Sequence, residues 1–219
     1  WTPKEIALEN KPEKQTVYQL RHTLLQSDLL RLDFGVFVLY AVQLAMWVGI
    51  PSLITQAGVS SKDHGWVYLP AVLLSFVFMG LTLFRLERRG KLKPLFLASI
   101  VCVIVVLIGM YYLSQTTPDI WVLGGLIFLF FSGFNILEAS QPSLASRMTA
   151  PESRGAVLGV YNTLQSLGIF TGGALGGVIS RTVGLPGLFL ACAGIMMVWL
   201  WVSWPMKFIS PASSLAEMK

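Results

Sequence analysis

Charge is what this sequence has least of. Asp, Glu, Lys and Arg make up 12% of the 219 residues, about half the share found in soluble domains. Such a composition excludes an ordinary nucleic-acid binder and a disordered chain. Cysteine is almost missing too. Cys102 and Cys192 both lie inside apolar runs, which excludes a disulfide-stapled secreted domain and leaves packed thiols. His22 and His64 are the only histidines and stand outside those runs. With no HExxH or GxSxG pattern and no paired acids among the apolar segments, no enzyme activity, metal or cofactor is expected. No signal peptide is visible, because residues 1–33 are polar and basic, and the lack of an initiating Met at Trp1 suggests a fragment.

What the chain has instead is apolar sequence, 54% of the residues, with a mean hydropathy of +0.67. A helix crossing about 30 Å of hydrocarbon needs roughly 18 or more apolar residues. Six runs qualify: 34–56, 66–84, 94–113, 120–146, 151–180 and 186–206. The expected fold is therefore all-α, a polytopic membrane protein with six transmembrane helices. Residues 1–33 read as a linker and 207–219 as a tail. Within the linker, residues 18–33 place Leu20, Leu24, Leu25 and Leu29 at helical spacing among charged residues, the pattern of an amphipathic interfacial helix.

Six crossings put both ends on one side, and the loop charges agree. Lys4, Lys11, Lys14, Arg21 and Arg31, then the run from Arg85 to Lys93, then Arg147, Arg154, Lys207 and Lys219 share a side, against only Lys62 and Arg181 on the other. The positive-inside rule makes the richer side cytoplasmic. Trp66, Tyr68, Tyr111, Tyr112 and Trp121 fall at the outer interface and Trp199, Trp201 and Trp204 near the inner one, where anchoring is their expected role.

Polar residues are concentrated on the first, fourth and fifth helices. Glu138 is the one ionisable group well inside a span, with Asn135 and Gln141 three residues to either side. Pro142 removes the amide that would bond the Glu138 carbonyl, so the helix is expected to loosen there. A carboxyl that is neutral when dry and ionised when wetted can carry a proton across; a permanently hydrogen-bonded brace is the alternative, and both stay open. Gln43 and Trp47 on the first helix, and Tyr161, Asn162, Gln165 and Ser166 on the fifth, line a cavity or bond between helices. The fifth helix also repeats glycine every fourth residue, at Gly155 and Gly159 and again at Gly168, Gly172 and Gly176, a spacing that permits close helix contact. The third and sixth helices hold little beyond Ser99, Cys102, Cys192 and Ser203 and read as lipid-facing.

The loop RLERRGKLKP (85–94), the fourth helix FNILEASQPSLASR (134–147) and the fifth segment PESRGAVLGVYNTLQSLGIFTGGALGGVIS (151–180), set in six helices, resemble the C-terminal half, helices seven to twelve, of a major facilitator superfamily transporter. More narrowly, the Asn-x-x-Glu-Ala segment followed by Pro-Ser-Leu, together with GVYNTLQSLG and GLFLACAG, is similar to YajR-type bacterial inner-membrane transporters, often grouped with drug:proton antiporters. The resemblance implies an inverted repeat of three plus three helices. It favours export and puts the helices of Gln43 and Glu138 around the cavity; together with the polar residues above, the expectation is proton-coupled efflux of a small molecule by alternating access, with Glu138 coupling to protons and Gln43, Trp47, Asn135, Gln141, Tyr161, Asn162 and Gln165 around the substrate. Pro142 and the glycines of the fifth helix would serve packing and gating. The implied partners are the N-terminal six-helix half, the substrate, protons and the bilayer. An uncoupled facilitator, or a membrane anchor without transport, stays open as an alternative.

Overall fold

The structure, a computed structural model, describes residues 23–206. Six α-helices account for the spans read from sequence: α1 Ser27–Gln56, α2 His64–Arg88, α3 Leu92–Leu113, α4 Ile120–Arg147, α5 Arg154–Thr182 and α6 Gly184–Ser203. A short 3-10 turn, Pro151–Ser153, leads into α5. Helix starts follow local chemistry where a cap exists: the Asp119 carboxylate accepts from the amides of Trp121 and Val122 at 2.9 and 3.0 Å, so α4 begins at Ile120. Five of the helices are long and apolar enough to cross a membrane. The exception is α5, 29 residues long, whose glycines and polar stripe dilute its hydropathy.

Residues 18–22 of the expected interfacial helix lie outside the described residues. The rest corrects that reading. The extended backbone at Gln26 ends any continuous helix through 18–33, and α1 starts at Ser27, upstream of the apolar run. Leu29 and Leu32 are buried in the bundle core instead of lying on a membrane surface.

The packing is reciprocal. The first helix of the opening triplet, α1, packs on α5 and α6 of the second triplet, while α4, the first helix of the second, packs on α2 and α3 of the opening one. The two third helices, α3 and α6, touch each other, as do α1 and α4. This is the arrangement expected of a three-plus-three repeat. It also changes the reading of α3 and α6 as purely lipid-facing. Each is two-faced: Ile100, Val103 and Leu107, and Phe189, Ala193 and Met196, are buried, whereas Val105 and Leu190 are exposed. The helices with least buried surface are α2, where only Ala71, Ser75 and Leu83 are buried, and α5.

Trp199 is a second correction. It is fully buried, edge-on to Phe96 with ring centroids 5.8 Å apart, while Trp201 and Trp204 remain exposed as interfacial anchors. Room for its indole comes from Gly35 on α1: a Cβ there would stand 2.5 Å from Trp199 Cε2. Gly35→Ala is expected to destabilise the bundle by about 1–3 kcal/mol through overpacking. A thermal melt checks this, with partial recovery expected when Trp199→Phe is added; an unchanged melt would show that the ring has space to move.

Candidate functional site

The site lies where α1, α4 and α5 meet. Tyr40, Gln43 and Trp47 follow at intervals of three and four on α1 and so share one of its faces. The Tyr40 hydroxyl donates to Glu138 Oε1 on α4 at 2.8 Å. Tyr40 itself is 4% exposed and meets the edge of Phe134 at 5.8 Å and 89°. Tyr161, buried on α5, lies beside Tyr40. Glu138 keeps partial exposure. Among the described residues its bonding partner is a tyrosine, and no cation pairs with it.

Two turns along α1, Trp47 is 40% exposed and packs on Tyr68 of α2 at 5.0 Å and on Phe131 of α4 at 6.0 Å. Gln43 lies between these two layers, partly exposed. Polar and aromatic groups therefore alternate along the seam of α1 and α4, the surface expected of a cavity wall.

Both helices carry a proline at the site. Pro51 follows Trp47 by four residues and Pro142 follows Glu138 by four. Each therefore withholds the amide that a helix carbonyl at Trp47 or Glu138 would accept. α4 runs unbroken from Ile120 to Arg147 through Pro142.

The remaining sequence candidates separate. Asn135 is buried, and its Nδ2 donates at 2.9 Å to Ser75 Oγ, which donates in turn to the Val72 carbonyl at 2.6 Å; it braces α4 on α2. Gln141 is fully buried with both amide atoms unbonded among the described residues. Asn162 is exposed on α5, Gln165 half-buried, and Ser166 is turned back onto the Asn162 carbonyl. The face with Asn162 is not enclosed among the described residues.

The glycine repeat divides as well. Gly168, Gly172 and Gly176 lie against Phe37, Ala41 and Ala45 of α1, position for position, and are buried. Gly155 and Gly159 meet nothing within 4 Å of where a Cβ would be, so the packing read from their spacing finds no contact among the described residues.

Tyr40 escaped the sequence reading, although its place three residues before Gln43 and seven before Trp47 marked the same face. Asp33, seven residues before Tyr40 and only 7% exposed, was missed because it sits at the edge of the apolar run. At the end of the spans nearest the chain termini, Arg147 Nη2 pairs with Glu87 Oε1, tying α4 to α2.

The family model described as Major Facilitator Superfamily matches residues 32–216. The chain belongs to the Major Facilitator Superfamily. Among curated proteins it is 34% identical over 192 residues to the inner membrane transport protein YajR of Escherichia coli, an alignment covering 88% of this chain and 42% of that protein. An uncharacterized transporter of Buchnera aphidicola is 27% identical over 175 residues, 78% of this chain and 43% of the relative. The uncharacterized MFS-type transporter YhhS of Escherichia coli is 25% identical over 175 residues, 77% and 42%. The chain thus spans less than half the length of these relatives. Superfamily membership makes it a multi-pass membrane protein of a transporter family, with the six-helix, half-superfamily fold described above.

Proposed function

We propose that this chain is the C-terminal half of a proton-coupled transporter of the bacterial inner membrane, exporting a small molecule by alternating access with both termini cytoplasmic. The observation that carries it is the Tyr40–Glu138 hydrogen bond between α1 and α4, at a carboxylate with no paired cation among the described residues. A carboxylate held by one hydroxyl, with no basic partner, can take up or lose a proton as the seam is wetted or closed. Tyr161 lies beside Tyr40, and Gln43 and Trp47 follow one and two turns further along α1, where they can sense the substrate. Gln141, its amide buried and unbonded, is the group best placed to gain partners when the seam changes shape. Asn135 belongs to the scaffold on this reading. Asn162, Gln165, Gly155 and Gly159 face the N-terminal half, which would supply the other wall of the cavity. The residues before α1 and residues 207–219 then serve as the cytoplasmic connector and tail.

The test uses the intact transporter in proteoliposomes with a panel of small organic substrates and an imposed pH gradient. Substrate accumulation that follows the gradient is expected. Equilibration indifferent to the gradient would make the protein a facilitator, and no movement of any substrate would favour a membrane anchor.

A further inference from the structure

The seam between α1 and α6 carries two hollows that transport does not use. One is a notch of about 350 Å³ at the end of the spans nearest the chain termini, formed by Arg31 of α1 with Trp201, Val202, Trp204 and Pro205. The other, about 280 Å³ and almost wholly apolar, lies further along the same seam. Its floor is Ala41 and Ala45 on α1, and its walls are Gly172 and Gly176 on α5 with Ala191 and Ile195 on α6. Val202, Val198, Ile195 and Ala191 follow one another at intervals of three and four, so a single ridge of α6 runs from the notch into the crevice. The ridge is about 16 Å long, close to half of the roughly 30 Å hydrocarbon thickness. Val198 is 50% exposed and Ala191 is exposed, so the ridge is open along its outer side.

We infer that this seam binds one anionic phospholipid of the adjoining leaflet, its phosphate on Arg31 in the notch and one acyl chain along the α6 ridge into the crevice. The notch supplies the headgroup chemistry. Arg31 Nη1 bonds Asp28 Oδ1 at 2.8 Å, and a guanidinium carries five N–H donors, which leaves a fork for phosphate oxygens. Trp201 and Trp204, 78% and 66% exposed, place indole rings at headgroup level, where amphipathic aromatics are stable. The crevice supplies the chain chemistry. Alanines and glycines hollow it out at a depth where the bilayer offers hydrocarbon and no water, so an acyl chain is the filler at hand. A soluble anion would leave the crevice unused, and a lipid without net charge would gain little from Arg31.

Native mass spectrometry of the intact transporter, titrated with phosphatidylglycerol or with phosphatidylethanolamine of the same chains, tests this. One phosphatidylglycerol should be retained in preference to phosphatidylethanolamine. Arg31→Gln should weaken it about fivefold, the loss of one basic contact at a membrane surface, and Arg31→Lys should restore most of the affinity. Ala191→Phe, which fills the crevice from an exposed position, should weaken phosphatidylglycerol by a similar factor with Arg31 intact. Equal retention of both lipids in every variant would mean an annular lipid only and would overturn the inference. So would phosphatidylglycerol binding that ignores Ala191→Phe, or that appears only after the residues beyond Met206 are removed, since that segment would then be the occupant of the notch.

Discussion

Gly172→Leu is expected to leave little folded protein in the membrane, and even Gly172→Ala to destabilise it by about 3 kcal/mol, the upper end of ordinary overpacking. The reason is what stands opposite. A Cβ at Gly172 would lie 2.7 Å from the Ala41 carbonyl carbon and Cα, and one at Gly168 would lie 2.5 Å from the Phe37 carbonyl oxygen. These are backbone atoms, which cannot rotate away as a side-chain tip does. The only relief is to separate α1 from α5, and α1 is the helix that carries Tyr40. Gly177→Ala on the same helix is the internal control: nothing among the described residues lies within 4 Å of its Cβ position, and alanine favours helix by up to about 1 kcal/mol. Detergent melts of the three variants decide the matter. If Gly172→Ala melts with the wild type, the α1–α5 contact is looser than drawn here.

Glu138→Gln is expected to abolish pH-gradient-driven accumulation while leaving the protein folded and able to exchange substrate at equal pH. Glutamine keeps the volume and an oxygen to accept the Tyr40 hydroxyl, so a bracing role survives the substitution and a proton-carrying role does not. This separates the two readings of Glu138 that the sequence left open. Tyr40→Phe should give the converse, lower transport with coupling retained, because the acid remains and only its orienting donor is lost, an interaction worth about 1.5–3 kcal/mol when the acceptor is charged. Infrared difference spectra give a substrate-free check: a carboxyl band found in the wild type and missing from Glu138→Gln is expected. Gradient-driven accumulation that persists in Glu138→Gln would return the residue to the scaffold.

The helix count and the helix limits were legible because a bilayer-crossing segment is a one-dimensional property: length and hydropathy of contiguous residues decide it. The observed spans begin and end within a few residues of the apolar runs, except at α1, where polar residues from Ser27 to Asp33 are helical because Leu29 and Leu32 anchor them in the core. Glu138 stood out for the same reason, as one ionisable residue in an apolar segment. Close packing at Gly172 also followed from spacing alone, since an interval of four puts glycines on one stripe of a helix.

Spacing could not say which stripe meets a neighbour. Gly155 and Gly159 repeat the interval of Gly168, Gly172 and Gly176 yet touch nothing among the described residues, because helical rotation carries them off the stripe that meets α1. Asn135 and Gln141 flank Glu138 symmetrically in sequence, but helical rotation turns Asn135 to Ser75 and buries Gln141 without a partner among the described residues. Trp199 and Trp201 are two residues apart, which rotates them about 200° around α6, one into the core beside Gly35 and the other out to the bilayer. Sequence determined which residues are inside the membrane. Which of them face each other was decided only by the reciprocal packing of α1 and α4 across the two triplets, because a contact depends on the rotation and crossing of two helices, and no single helix encodes that.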